Sequence, residues 1–340
     1  MSRYQPPLTL TPRMLALIAE ISEQIGQLSA ADSGRQTPQL RRRNRIRTIQ
    51  ASLAIENNTL SVEQVTAVLA GQRVLGLPRE IQEVRNAFAA YECLTDWKPG
   101  NRSDLLRAHE LLMQGLIDES GRFRRVGVGI YRGEQLVHMA PPPSRIAQLV
   151  DDLLAWLDAS DWHPLITSCV FHYEFEFIHP FADGNGRMGR LWQTLILSQW
   201  RPVLAYLPVE AVIREQQDGY YAALSAADRM AGSTPFVEYM LNALNLALRE
   251  AIQSEPSTDQ VTDQVKKLLH LLAGTVPLSV NELMSALGLA HKATFRANYL
   301  TPALAGELIE MTDPDSPRSP NQKYRLTSLG KLKVQKLQHM

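Results

Sequence analysis

The chain has 340 residues, enough for two domains at ~100–200 residues each. Thirty-five Lys and Arg balance thirty-five Asp and Glu, which argues against a general polyanion binder. A content of 45% hydrophobic and 21% charged residues excludes wholesale disorder. The two cysteines, Cys93 and Cys169, make neither a disulfide framework nor a zinc cluster and fit a reducing compartment. No apolar run reaches the ~20 residues of a membrane span, and the start MSRYQPPLTL lacks the blocks of a signal peptide. The expected location is the cytoplasm.

In chain order, apolar residues recur at three- and four-residue intervals from Thr11 to about Leu28, the period of an amphipathic helix. Helical patterns continue over 40–57, 62–69, 79–95, 103–116, 144–158, 164–177, 186–200, 211–231 and 235–253. The body is mainly α. One stretch differs: Arg125 to Met139 alternates small or β-branched residues, has a turn signal at Arg132 and Gly133, and predicts a β-hairpin. A polar, proline-containing linker covers 253–258. Beyond it, helices over 259–273, 280–287 and 291–305 precede a hairpin over 309–326, which is the order of a winged helix.

The segment richest in chemistry runs from His179 to Arg190, His-Pro-Phe-Ala-Asp-Gly-Asn-Gly-Arg-Met-Gly-Arg. Gly184, Asn185 and Gly186 break one helix and start another, so unpaired backbone N–H groups form an anion nest at a positive helix end. Arg187 and Arg190, three apart, share a face near its mouth. Asp183 is a hard carboxylate suited to Mg²⁺, and His179 carries an imidazole, the kind of group that can take a proton at working pH. Singly, Asp183 reads as an N-cap and His179 as a loop histidine. Together they outweigh that reading. The run Arg41 to Arg47 reads as a solvated helix face, and His163 and His172 as structural.

This segment resembles the signature of the Fic (filamentation induced by cyclic AMP) domain, matching every fixed position, and Phe171 to Ile178 is similar to the helix that precedes it. The resemblance implies a helical Fic fold and a protein adenylyltransferase that moves AMP from ATP to a Ser, Thr or Tyr hydroxyl, with the protein itself a further target. It implies His179 as base, Asp183 as ligand of Mg²⁺ or Mn²⁺, Phe181 as loop anchor, and phosphate contacts from Gly184 through Arg190, Met188 and Gly189 included. The hairpin at Val128, Gly129, Ile130 and Tyr131 resembles the family's flap, which docks a target by strand addition. Asp218 to Asp228 is similar to its adenosine-side helix, placing Tyr220, Tyr221 and Asp228 near the base. Doc kinases lack the second glycine of Gly-Asn-Gly, so Gly186 favours AMP transfer.

Ser52, Glu56 and Asn57 resemble the family's inhibitory helix, here about 45–58, within an N-terminal region 1–100 that precedes a catalytic core over 101–252. The resemblance implies that Glu56 pairs with Arg190 and blocks the γ-phosphate position. It also leaves open AMP removal as the reverse activity, and a homodimer. Residues 259–340 resemble the winged-helix extension of bacterial relatives. A DNA-binding reading uses Lys292, Arg296, Arg318, Lys323 and Arg325. Ten Lys and Arg against seven Asp and Glu make this tail only weakly basic, which favours a structural or protein-contact role. The rival to an enzyme is a DNA-binding regulator whose Fic portion senses nucleotide.

Overall fold

A computed structural model describes residues 4–31, 38–132, 135–254, 263–274, 276–289, 291–313, 319 and 322–338. Residues divide into two compact units, Met1–Ile252 and Gln253–Met340. The first is built on two helices, α7 (Pro164–Ile178) and α8 (Asn185–Trp200). Sequence explains why α7 is central: from Leu165 to Ile178 every residue but Phe177 is buried, so no polar face is left for solvent. Earlier helices pack around this pair: α1 (Pro12–Ala31), α2 (Pro38–Ile55), α3 (Val62–Leu69), α4 (Pro78–Glu92), α5 (Arg102–Met113) and α6 (Pro143–Ala159). The unit closes with α9 (Val209–Glu215), α10 (Gln217–Met230) and α11 (Thr234–Ser254). Trp97 and Trp192 stack at 6.1 Å, and the Trp192 indole donates to Pro99 O.

The hairpin is present. Strand β1 (Gly129–Arg132) pairs antiparallel with β2 (Gln135–Met139), with a bulge between Ile130 and Tyr131. Its turn residue Gly133 lies outside the described residues. The N-terminal segment is strapped down by polar bonds: Tyr4 donates to Glu174 Oε2 at 2.6 Å, and Pro7 O accepts from Ser233 N and Oγ. Farther on, α1 meets α11 through Gln24 to Asn245 at 2.6 Å and Arg249 to Glu20 at 2.8 Å.

Two expectations change. The pattern over 211–231 is not one helix, because Gln216 leaves helical geometry (φ −111°, ψ 34°) and divides α9 from α10. No breaker residue marks that point; the Tyr239 hydroxyl donates to Gln216 O, so a tertiary contact holds the bend. The basic run is not uniformly solvated either. Arg45 is buried, its guanidinium about 5 Å from the Tyr91 and Tyr206 ring centres and its Nη1 donating to Ala205 O. The physical reason is that α2 is packed on more than one side, with Ile46, Ile49, Leu53 and Ile55 also buried.

Near Arg45 lies Glu210, 2% exposed, accepting from the Tyr91 hydroxyl at 3.1 Å while its Oε2 has no hydrogen-bond partner. Burial pushes its carboxyl up to about 7, against the opposing pull of its backbone hydrogen bond and Arg190. A carboxyl raised on folding costs stability as pH rises from ~4.5 through 7, at about 1.4 kcal/mol per unit. Urea unfolding of Glu210→Gln against wild type should therefore show the loss of about 3 kcal/mol of destabilisation that this carboxyl contributes between pH 5 and 8.

The second unit has its own core of Leu268, Leu269, Leu283, Phe295, Ala303 and Tyr324. Its order is α12 (Asp263–Leu272), β3 (Leu278–Ser279), α13 (Val280–Ala286), α14 (Lys292–Phe295), α15 (Thr301–Ala305), β4 (Ile309–Met311), β5 (Lys323–Leu326) and α16 (Ser328–Gln338). A π-helical turn, Arg296–Leu300, joins α14 to α15, so the region 291–305 is one rod with a widened middle. Ser279 and Glu282 form a capping box at α13. The three strands order as β3-β5-β4, all antiparallel, with Ile309 opposite Leu326. Neither β3 nor α16 is evident from the sequence pattern. β3 is two residues long, and α16 docks its one buried apolar residue, Val334, on the core.

Candidate active site

Between α7 and α8 the chain turns through six residues that are tightly held. His179 caps α7 in the left-handed region (φ 49°, ψ 60°), with its N–H on Phe175 O. Two residues on, Phe181 is fully buried and stacks on His109 with ring centres 3.6 Å apart and planes 3° apart. Asn185 closes the loop by bonding both the N–H and the carbonyl of Phe181, at 2.9 Å each. Gly184 sits at φ 84°, where L side chains are strained, and a Cβ would also meet Met113 Sδ at 2.7 Å.

Two residues that motif reading passed over hold this loop. His109 Nδ1 accepts from Gly121 N at 2.9 Å, so its Nε2–H faces Asp183 O at 3.0 Å. Desolvation drives its pKa down to about 4, and the ring is neutral. Arg124 is 2% exposed and donates to four carbonyls: His179, Val126 and Pro141 at 2.6–2.8 Å, and Ile178 at 3.4 Å. One guanidinium thus ties the base of the hairpin to the end of α7. Leaving buried acceptors unpaired costs ~1–3 kcal/mol each. Arg124→Met should lose at least ~3 kcal/mol in urea unfolding. A single arginine outside the motif carries no local signal of such a role.

A cavity of about 870 Å³ opens beside the loop, within the size range of small-molecule sites. It is lined by His179, Gly186, Arg190, Glu56, Tyr221 and Asp228, among others. Here the structure brings together the loop, the end of α2 and the side chains of α10. Tyr220 lies at the wall, 2% exposed, with its hydroxyl 3.1 Å from His172 Nε2. Asp228 accepts from the Tyr173 hydroxyl at 2.9 Å. Gln217 bonds Ile55 O at 3.1 Å and so ties α10 to the end of α2.

Arg190 is the most constrained cation in the site. It is 2% exposed; Nε donates to Ser52 Oγ at 3.0 Å, and Nη2 to Ser52 O at 3.0 Å and to Glu56 Oε1 at 2.7 Å. Burial works against its charge, but Glu56, Tyr220 and Glu176 together outweigh it and hold the guanidinium above its ordinary pKa. α2 itself ends at Ile55. Glu56 stands in the closing turn, and Asn57 takes the left-handed conformation (φ 69°) that stops the helix. A Cβ at Gly186 would overlap Glu56 Oε1, so glycine there is what lets the carboxylate lie across the nest.

Arg187 does not share Arg190's surroundings. It reaches Glu83 at 3.4 Å and Asp183 at 3.2 Å, and it is not among the residues that line the cavity. Asp183, with its side chain 43% exposed, also meets Arg79 at 3.2 Å and accepts from Gly184 N at 2.7 Å. Met188 is wholly buried in the apolar core, while Gly189 faces His172 and Glu176. The Met188 side chain points into the core, and its N–H bonds Gly184 O at 3.0 Å. Among the described residues, no group of three His, Cys, Asp or Glu could hold a metal ion. Asp183 alone fits a Mg²⁺ that arrives with phosphates, which needs only one or two protein carboxylates.

In the hairpin, Val128 O accepts from Ala140 N at 3.2 Å and Gly129 opens β1. Ile130 and Tyr131 take their strand positions; their side chains lie outside the described residues. In the second unit Lys292, Arg296, Lys323 and Arg325 are all exposed, and Arg325 pairs with Glu310 at 2.6 Å. Arg318 lies outside the described residues.

A left-handed histidine, the start of a helix and a buried arginine surround one cavity of small-molecule size, and a helix start of this kind favours anions. The family model described as Fic/DOC family matches residues 99–197, and the one described as filamentation induced by cAMP protein Fic-like, C-terminal domain, matches 263–327. A crystal structure of a Fic family protein from Desulfovibrio desulfuricans G20 is 64% identical, covers 96% of this chain and 99% of that one, and has a TM-score of 0.73. The chain belongs to the Fic family. Among curated proteins, protein adenylyltransferase fic-1 of Caenorhabditis elegans is 30% identical over 226 residues, and protein adenylyltransferase Fic of Culex quinquefasciatus 28% over 220. Those matches take in 62% and 60% of this chain but 42% and 41% of the relatives, so the chain spans about two fifths of their length. Among the described residues, no helix is long and apolar enough to cross a membrane.

Proposed function

We propose that this chain is a protein adenylyltransferase, using ATP to place AMP on a hydroxyl of a target protein. The observation that carries the reading is one cavity in which His179, the nest residue Gly186, Arg190 and the α10 side chains Tyr221 and Asp228 all meet. In the reaction the target oxygen bonds to the α-phosphorus, the bond to the β-phosphate oxygen breaks, diphosphate leaves, and His179 takes the hydroxyl proton. The backbone N–H groups at the start of α8 hold phosphate oxygens, and Arg190 meets the terminal phosphate. Asp183 would hold the Mg²⁺ after yielding its contacts to Arg79 and Arg187, and that ion would neutralise charge on the phosphates. Tyr221 and Asp228 stand on the adenosine side. The hairpin at Val128 to Tyr131 receives the target backbone by strand addition.

In the pose described, Glu56 occupies the cation that the terminal phosphate needs. The chain is then held in an inhibited state. The second unit follows the winged-helix order and serves as a protein-contact module; the pairing of Arg325 with Glu310 favours this over DNA binding, since it neutralises a wing cation.

The deciding experiment supplies ATP labelled on the α- or the γ-phosphate together with a cell lysate. Label on protein from α-labelled ATP alone supports the reading; label from γ-labelled ATP alone would replace it with a kinase. No transfer from either, by wild type or Glu56→Ala, would favour a nucleotide-sensing regulator.

A further inference from the structure

Behind His179, on the same helix, lies a buried carboxylate that the reaction as written does not use. Glu176 is 9% exposed, and its two oxygens look at two different imidazoles. Oε2 is 3.9 Å from His179 Nδ1, and Oε1 is 3.8 Å from His172 Nε2. The second of these is not a hydrogen bond, and Oε1 has no hydrogen-bond partner.

The surrounding bonds explain why. His172 Nδ1 is 2.7 Å from Gln193 Oε1, and the Gln193 amide nitrogen is turned to Cys169 Sγ. Nδ1 therefore carries the His172 proton. His172 Nε2, left bare, accepts from the Tyr220 hydroxyl at 3.1 Å. His172 thus presents an acceptor to Glu176 and cannot satisfy it. The remaining ring donor facing the carboxylate is Nδ1–H of His179.

Resting on the adenylyl-transfer reading, we propose that Glu176 is a positioning residue for His179. Its carboxylate takes the Nδ1–H of that imidazole, which leaves Nε2 bare for the proton of the target hydroxyl and stabilises the imidazolium once the proton has arrived. Such contacts tighten around substrate. The His179 backbone is already fixed by the 2.7 Å bond from Arg124 to its carbonyl, so about 1 Å of side-chain movement completes the pair. Burial raises the Glu176 carboxyl, while the charges of His179 and Arg190 favour its anion. Tyr220 faces the same carboxylate from α10, and Glu56 faces it from α2 across Arg190. Gly189 gives Glu176 room: a Cβ there would lie 3.0 Å from Oε1 and 2.8 Å from His172 Cδ2.

The test uses the full chain with Glu56→Ala as parent, and two added substitutions, Glu176→Gln and Gly189→Ala. An opposite charge at this range raises an imidazole pKa by about one unit or more. NMR titration of the His179 ring should therefore give a pKa about one unit lower in Glu176→Gln, and shifted in the same direction but less in Gly189→Ala. The acid limb of the rate profile should move to lower pH with it. kcat for AMP transfer should fall about tenfold or more, with KM for ATP within about twofold. An unchanged His179 titration in a folded Glu176→Gln protein would overturn the proposal, as would an unchanged kcat. If Glu176→Gln does not fold, an unshifted His179 in Gly189→Ala overturns it equally. If the titration shifts while the parent itself transfers no AMP, the pairing stands and the adenylyl-transfer reading falls.

Discussion

Glu56→Ala should transfer AMP about 10- to 100-fold faster than the wild-type chain at equal ATP. The size follows from one bond. A hydrogen bond between charged groups contributes ~1.5–3 kcal/mol, and each ~1.4 kcal/mol is a factor of ten in occupancy of the competent state. Glu56 is the only acid bonded to Arg190 among the described residues, at 2.7 Å, and its side chain is 35% exposed while that of Arg190 is 1% exposed. Removing it frees the cation at little cost in packing. The two Ser52 contacts remain and keep the guanidinium aimed. Measuring label from α-labelled ATP on protein, side by side with wild type, checks this; equal rates would mean that the pair does not restrain the reaction. Glu56→Gly is the less informative variant, because glycine also frees the backbone of the turn that closes α2.

His179→Asn should lose AMP transfer by 10² to 10⁴, the usual contribution of a positioned base, while ATP binding stays within about twofold. Asparagine is the better substitution than alanine for a structural reason. His179 sits at φ 49°, a conformation that asparagine tolerates and most other residues do not. Its backbone N–H and carbonyl can then keep their bonds to Phe175 O and Arg124, so the loop stays in place while the imidazole is gone. Calorimetric ATP binding in the Glu56→Ala background, beside the rate, separates lost chemistry from a collapsed site. Transfer persisting in this variant would remove His179 from the role of base.

The twelve residues from His179 to Arg190 were legible as a site because their chemistry is contiguous: a turn, a nest and a helix start need no tertiary information. The α-rich body and the hairpin were legible for the same reason, since periodicity is local. What surrounds the loop was not. His109, Arg124 and Glu176 lie outside the motif's fixed positions, and each acts through atoms brought near by packing: a stacked phenyl ring, four carbonyls, a second imidazole. Likewise Glu83 bonds Asn58 and lies 3.4 Å from Arg187, drawing that arginine away from the face its spacing suggested. The bend at Gln216 belongs with these, because its cause is Tyr239 from another helix. Spacing of three residues predicts a shared face, not shared partners.

Because Arg190 grips the body of α2 through Ser52 and its terminal turn through Glu56, the two holds come apart separately. A signal that lifts only the turn from Glu56 to Asn57 would free the phosphate position while the helix stays seated. On the proposed reading the restraint is a latch at a helix tip, and whatever opens it has only to reach two exposed residues at the rim of the cavity.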